Sequence, residues 1–331
     1  MQQVETVNKK HIKNVLMFVF DNETKNVTNN WLQKGLLEAC YVDMFQNQYV
    51  NLMPADKLIE DLGFKYNDVL PLSKKIKIAK EKVIPYFVTG SYSFNKDSIA
   101  IAFDIYDTER GAIIYTKTIQ NKNLFHLVDE ISSELNVGLG LAENQIKELI
   151  DLPIQSQLTE SVIAFEYYIK ALLSKADNYS QKALNLLNMS IKEDPYFTWA
   201  HFESGPLYYR SNKMDSLHIS LKKTIENIER FPEYKRYEVK YIYYIFNKEG
   251  EKASKVLKNW VLQFPNSIEG HKKLAISYEK NGIFDDAIKH YKQIFEIDPS
   301  LYRLLLKISN LYAKQGNYDE SIRFHKKYTY A

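Results

Sequence analysis

A single cysteine, Cys40, occurs in 331 residues. One thiol forms no intramolecular disulfide, which excludes a small disulfide-stapled scaffold. Its neighbours Leu36, Leu37, Ala39 and Val42 mark it as a buried small hydrophobe. Charge of one sign is missing as well. The 44 Lys and Arg nearly cancel the 41 Asp and Glu, leaving +3, and no basic run supplies the electrostatic footprint of a nucleic-acid binder. No apolar run approaches the roughly 18 residues of a membrane-spanning helix. The opening MQQVETVNKKHIKN lacks both the apolar stretch and the small-residue cleavage site of a secretory signal. These absences predict a soluble chain, cytoplasmic as given, or periplasmic if it is a piece cut from a longer membrane protein.

Motifs of chemistry are absent too. The histidines His11, His126, His201, His218, His271, His290 and His325 fall in no HExxH or Cys/His ligand spacing. Gly138-Leu139-Gly140 follows a helical stretch and has neither a third glycine nor a Lys-Ser/Thr, so it reads as a helix stop rather than a phosphate loop. There is no GxSxG elbow and no kinase set. Asp104 and Asp107 fall on opposite faces of one strand, so they do not pair. No catalytic residue, cofactor or metal ligand is expected, and the chain reads as a non-enzyme.

Aromatic residues, by contrast, are plentiful: 25 Tyr, 17 Phe and 3 Trp make 14% of the chain. The second half also repeats itself. Leu274, Ala275, Tyr278, Gly282, Phe284, Ala287, Tyr291, Ile294 and Pro299 outline two helices, with Asn281-Gly282 turning between them and Asp298-Pro299 closing the second. Moving 34 positions on gives Ile308, Ser309, Tyr312, Gly316, Tyr318, Ser321, His325 and Tyr328. Moving 34 back gives Tyr244, Gly250, Ala253, Leu257, Trp260 and Pro265, with Lys248 where the turn glycine would be. Gly205, Tyr208, Met214 and Leu221 start a further unit whose Pro232 comes three residues late, implying a longer second helix or loop. Ala171, Tyr179, Ala183, Leu187 and Pro195 make another. Five helix pairs are expected over residues 162–331. A pair cannot bury its apolar face alone, so such units stack.

These residues and this period resemble the tetratricopeptide repeat (TPR) family. The resemblance implies a solenoid of helix pairs whose first helices line a concave, partner-binding groove. Groove-facing positions in the first two pairs are Phe165, Tyr168, Trp199, Phe202 and Tyr209; in the last two they are Lys272, Lys273, Arg303, Lys307 and Asn310. One end is thus aromatic and the other cationic and polar. Lys and Asn are absent from the early positions that a carboxylate clamp of this family uses. Two readings of the aromatic end remain open: it docks an apolar partner segment while the late pairs meet acidic groups, or it is covered by the first half of the chain.

In that first half, the run 15–20 reads as a strand, followed by a helix with Trp31, Leu36, Ala39 and Val42 on one face. A strand at 49–54, helices near 55–62 and 73–82, three strands joined by turns at Asn95-Lys96-Asp97 and Glu109-Arg110-Gly111, and a helix over 124–137 complete a mixed sheet packed with helices. The fold class is α+β overall, with boundaries at 12–145 for the α/β domain, 146–161 for a linker and 162–331 for the array. Asp21-Asn22 after the first strand, Gly35, Gly90, Asp107 and Gly111 resemble the TolB-like amino-terminal domain. In bacteria such domains often precede TPR arrays in chains that carry a DNA-binding, kinase or cyclase output module, and none is recognisable here. The resemblance implies a scaffold or sensor working with a protein or peptide partner. Two alternatives stay open: a regulatory input region of a larger signalling enzyme or transcription regulator, and small-ligand binding by the α/β domain. The last repeat lacks a polar capping helix, so either the native chain continues or this end pairs with a second copy.

Overall fold

The computed structural model describes residues 12–24, 26–65, 68–149, 151–176, 180–299 and 301–330. His11, Tyr179 and Ala331 lie outside the described residues. The first part runs β1 (Lys13–Met17), β2 (Asp21–Asn22), α1 (Trp31–Met44), β3 (Val50–Pro54), α2 (Asp56–Asp61), α3 (Leu72–Glu81), β4 (Tyr86–Asn95), β5 (Ser98–Asp107), β6 (Ala112–Asn121) and α4 (Leu124–Gly138). Strand order is β3-β1-β4-β5-β6, with β2 also on β4. β1 is parallel to β3 and β4, while β5 and β6 add antiparallel neighbours. Crossovers through helices make the parallel pairs and tight turns make the antiparallel ones, as the lengths of the connections demand.

The first strand is shorter than its apolar run. Residues 18–20 are as buried as 15–17, so hydrophobicity does not mark where the ladder stops. Pairing with β3 stops at Met17 opposite Pro54, where the partner strand ends. Phe18 packs edge-on to Phe87 at 5.9 Å, and Phe87 stacks on Tyr106 at 4.7 Å, tying β1, β4 and β5 into one core with Leu16, Ile59 and Ile78. Burying each such side chain contributes about 1.5–3 kcal/mol. Lys75 of α3 is buried in the same region, donates to Thr89 Oγ1 at 2.5 Å and lies 3.9 Å from Asp21. Its polar end is satisfied, and it fastens α3 to β4. The Gly138-Leu139-Gly140 run is indeed a helix stop: Gly140 takes a φ of +68°, and Leu141 returns its amide to the Asn136 carbonyl at 3.0 Å.

Two short helices follow, α5 (Glu143–Glu148) and α6 (Ile154–Gln157), and then five helix pairs: α7 (Val162–Ala176) with α8 (Ser180–Glu193), α9 (Thr198–Arg210) with α10 (Met214–Glu226), α11 (Glu233–Phe246) with α12 (Gly250–Gln263), α13 (Ile268–Lys280) with α14 (Phe284–Ile297), and α15 (Arg303–Lys314) with α16 (Tyr318–Thr329). The late Pro232 is accounted for by an extra 3₁₀ turn, Ile228–Arg230, after α10. Compact units divide at this point, Met1–Pro232 and Glu233–Ala331. The first therefore contains the sheet and two helix pairs, and the second contains three pairs. Among the described residues no helix is long and apolar enough to cross a membrane.

Small residues set the close approach of helices within a pair. Ala275 and Ala287 are fully buried between α13 and α14. At the equivalent positions of the next pair Ser309 bonds to the Ser321 carbonyl at 2.8 Å, so a hydroxyl replaces a methyl without leaving a buried donor unsatisfied. In the second pair Gly205 sits 3.6 Å from Leu217, measured from where its Cβ would be: a large residue fills the space a small one leaves.

Candidate partner-binding faces

The positions expected to line the groove behave differently in the two units. In the first, Phe165 and Tyr168 of α7 are buried. Phe165 packs against Trp31 of α1 at 6.1 Å and Phe125 of α4 at 5.7 Å, and Tyr168 against Phe197 at 5.0 Å. Trp199 and Phe202 of α9 are also buried, at 4.7 and 5.6 Å from Phe231. The Trp199 indole donates to the Gln157 carbonyl at 3.1 Å, and Arg230 donates to the Leu158 carbonyl at 3.4 Å. The end of α6 is thus tied to α9 through Trp199 and to the 3₁₀ turn through Arg230, with Ile154 and Leu158 at its two ends fully buried. Cover by the first half of the chain is seen for Phe165; Tyr168 and Phe202 pack instead against Phe197 and Phe231 of the array itself, and Trp199 packs on Phe231 while bonding Gln157 before the array. Tyr209 differs: it is 56% exposed.

In the second unit Lys272, Arg303 and Asn310 are exposed and, among the described residues, enter no ion pair. Lys273 and Lys307 are instead engaged. Lys273 of α13 pairs with Glu238 of α11 at 3.5 Å and with Glu269 at 3.0 Å; Lys307 of α15 pairs with Glu279 of α13 at 3.0 Å. Each lysine therefore reaches back to a glutamate on the first helix of the preceding pair. Burial opposes ionisation of Glu238, yet Lys235 and Lys273 outweigh it and hold its carboxyl below the usual range. Burial likewise opposes ionisation of Glu279, and Lys307, the Tyr291 hydroxyl and Lys314 overcome it. Two of the five predicted late positions are thus neutralised within the fold. Ile276 is 36% exposed and Ile245 46%; both were missed as candidates. Ile276 occupies the helix position that Asn310 holds in the next pair, a signal the 34-residue register contained.

No family model matches the chain, and no curated protein matches it. Among solved structures it is similar to the MamA protein, at 20% identity over 50% of this chain and 90% of that one, with a TM-score of 0.39. It is also similar to MamA from Desulfovibrio magneticus RS-1, at 12% identity over 51% and 94% with a TM-score of 0.41. A third is YrrB, described as a TPR protein with an unusual peptide-binding site, at 16% identity over 50% and 84% with a TM-score of 0.37. The TPR architecture of the helix pairs rests on this chain's own repeat register and packing. Among the described residues no group of three His, Cys, Asp or Glu side chains is arranged to hold a metal ion.

Proposed function

We propose that the chain is a non-catalytic interaction scaffold: a TolB-like module over residues 12–145, a linker over 146–161 and a TPR array over 162–331. Its second unit binds an acidic, partly apolar segment of a partner protein. The observation that supports this is the exposed set Lys272, Ile276, Arg303 and Asn310 on the first helices α13 and α15. An isoleucine one turn after an unpaired lysine suits an apolar anchor beside a carboxylate, with the exposed charges setting attraction and selectivity more than raw affinity. Selection of peptides from a random display library on the whole chain tests it. Enriched peptides are expected to place Asp or Glu next to an apolar residue, and Lys272→Glu with Arg303→Glu is expected to weaken them about tenfold or more at unchanged melting temperature. Enriched peptides indifferent to both substitutions would sink the proposal.

A further inference from the structure

The turn Asp151–Ile154 is tied down by side chains of two helices. Gln46, just beyond α1, donates through Nε2 to the Leu152 carbonyl and accepts from the Leu152 amide, both at 2.9 Å. Asp129 of α4 accepts from the Ile154 amide at 2.9 Å. Beneath lies a small half-open pocket with room for about one water, lined by Asp43, Asn47, Ser132, Asn136, Leu149 and Asp151 among others. Asp43 is only 2% exposed. Its Oδ1 accepts from the same Gln46 amide at 3.3 Å. Its Oδ2 makes no well-directed hydrogen bond, and neither does the Ser132 hydroxyl that faces the carboxylate.

The neighbours of Asp43 resist its ionisation. An ionised Asp43 is a buried charge facing two further carboxylates, Asp129 from α4 and Asp151 from the turn; the thiol of Cys40 on its own helix is buried and neutral, and His126 acts on Asp129. A neutral Asp43 removes that repulsion, while the Ser132 hydroxyl, able to donate or accept, serves Oδ2 in either state. Burial first, then Asp129 and Asp151, push its pKa up to about 7 against the opposing influence of the nearby Ser132 hydroxyl and of the Gln46 amide. Burial also raises the carboxyls of Asp129 and Asp151.

We infer that Asp43 is a proton-operated latch for the turn Asp151–Ile154: protonated, it lets the turn close over the cavity, and ionised, it drives Asp151 and the turn away. Ile154 opens α6, whose last carbonyl holds the Trp199 indole. The latch therefore sits on the segment that holds Trp199 of the second helix pair.

Amide exchange of the whole chain tests this, with the Leu152 and Ile154 amides as reporters and intrinsic exchange corrected for. Between about pH 6 and pH 8 their protection is expected to fall about tenfold or more in the natural sequence and to stay constant in Asp43→Asn. Asp151→Asn, which removes one like charge, is expected to shift the midpoint to lower pH. An equal pH response in a folded Asp43→Asn, or none in the natural sequence, overturns the latch. Should Asp43→Asn fail to fold, an unmoved midpoint in Asp151→Asn overturns it.

Discussion

Lys248 adopts a backbone conformation that glycine adopts in the two pairs after it. Its φ is +60°, against +72° at Gly282 and +77° at Gly316, each residue ending the turn between the helices of a pair. Asn212 takes the same role in the second pair at +55°. Left-handed backbone costs an L-residue with a Cβ about 1–2 kcal/mol, and asparagine tolerates it better than lysine. The turn survives at Lys248 because the Glu249 amide still closes onto the Tyr244 carbonyl at 2.9 Å, the same bond that Ile283 makes to Tyr278. Lys248 is exposed, so its side chain contributes little to offset the strain. Lys248→Gly is therefore expected to stabilise the second unit by about 0.5–1 kcal/mol, the relief of strain less the entropy a glycine adds to the unfolded chain. A shift of the urea midpoint at constant slope measures it; a lower midpoint would refute the strain argument.

At the scale of elements, two histidines explain themselves through their helix ends. His201 and His271 each occupy the fourth position of a first helix and place Nε2 3.0 Å from a carbonyl of the loop that follows the preceding helix, Pro195 and Pro265 respectively. A carbonyl only accepts, so Nε2 carries the proton in both. In neutral His271 this leaves Nδ1 as the acceptor for His290 Nδ1–H, 2.8 Å away. A proton added at His271 Nδ1 would break that bond. Burial first, then His271, depress the His290 pKa to about 4. Because the unfolded chain takes up that proton near the ordinary pKa of 6.5, stability is complete above about pH 6.5 and is lost as pH falls toward 4. The ring is partly exposed, so after solvent screening the loss is about 1 kcal/mol. His290→Gln is expected to flatten this part of the pH–stability curve, and an unchanged slope would show that other groups cause it. Both rings illustrate what the sequence makes legible. The repeat register places all five helix pairs, since small, aromatic and proline positions recur at near-fixed spacing whatever the pairs later contact. It does not reveal which groove positions stay exposed. Exposure of Phe165 depends on Trp31 and Phe125, and the charge of Lys273 depends on Glu238; each is settled by residues far away in the chain or in the neighbouring pair. The short helices α5 and α6 carry no periodicity long enough to separate them from a linker.

For the molecule as a whole, the consequence is a division of labour among first-helix positions that a repeat alignment treats as alike. In the first unit all but Tyr209 are buried, Phe165 against α1 and α4 and the others mainly within the array, and in the second they include an exposed cationic and apolar face. Trp199 distinguishes the two roles. It is 4% exposed, tilted against Phe231 and hydrogen-bonded to Gln157. Trp199→Ala removes a buried indole and leaves a cavity, so it is expected to lower stability by about 3–5 kcal/mol. Trp199→Phe keeps much of the packing but leaves the Gln157 carbonyl without its donor, and is expected to cost about 1–2 kcal/mol. Lys272→Glu and Arg303→Glu remove no buried contact, so they are expected to leave the melting temperature within experimental scatter while weakening peptide binding. Chemical denaturation and peptide titration of all four variants make the comparison. If Trp199→Ala left stability untouched while abolishing binding, the surroundings of Trp199 would be a docking surface after all, and the segment ending at Gln157 only a weakly held cover for it.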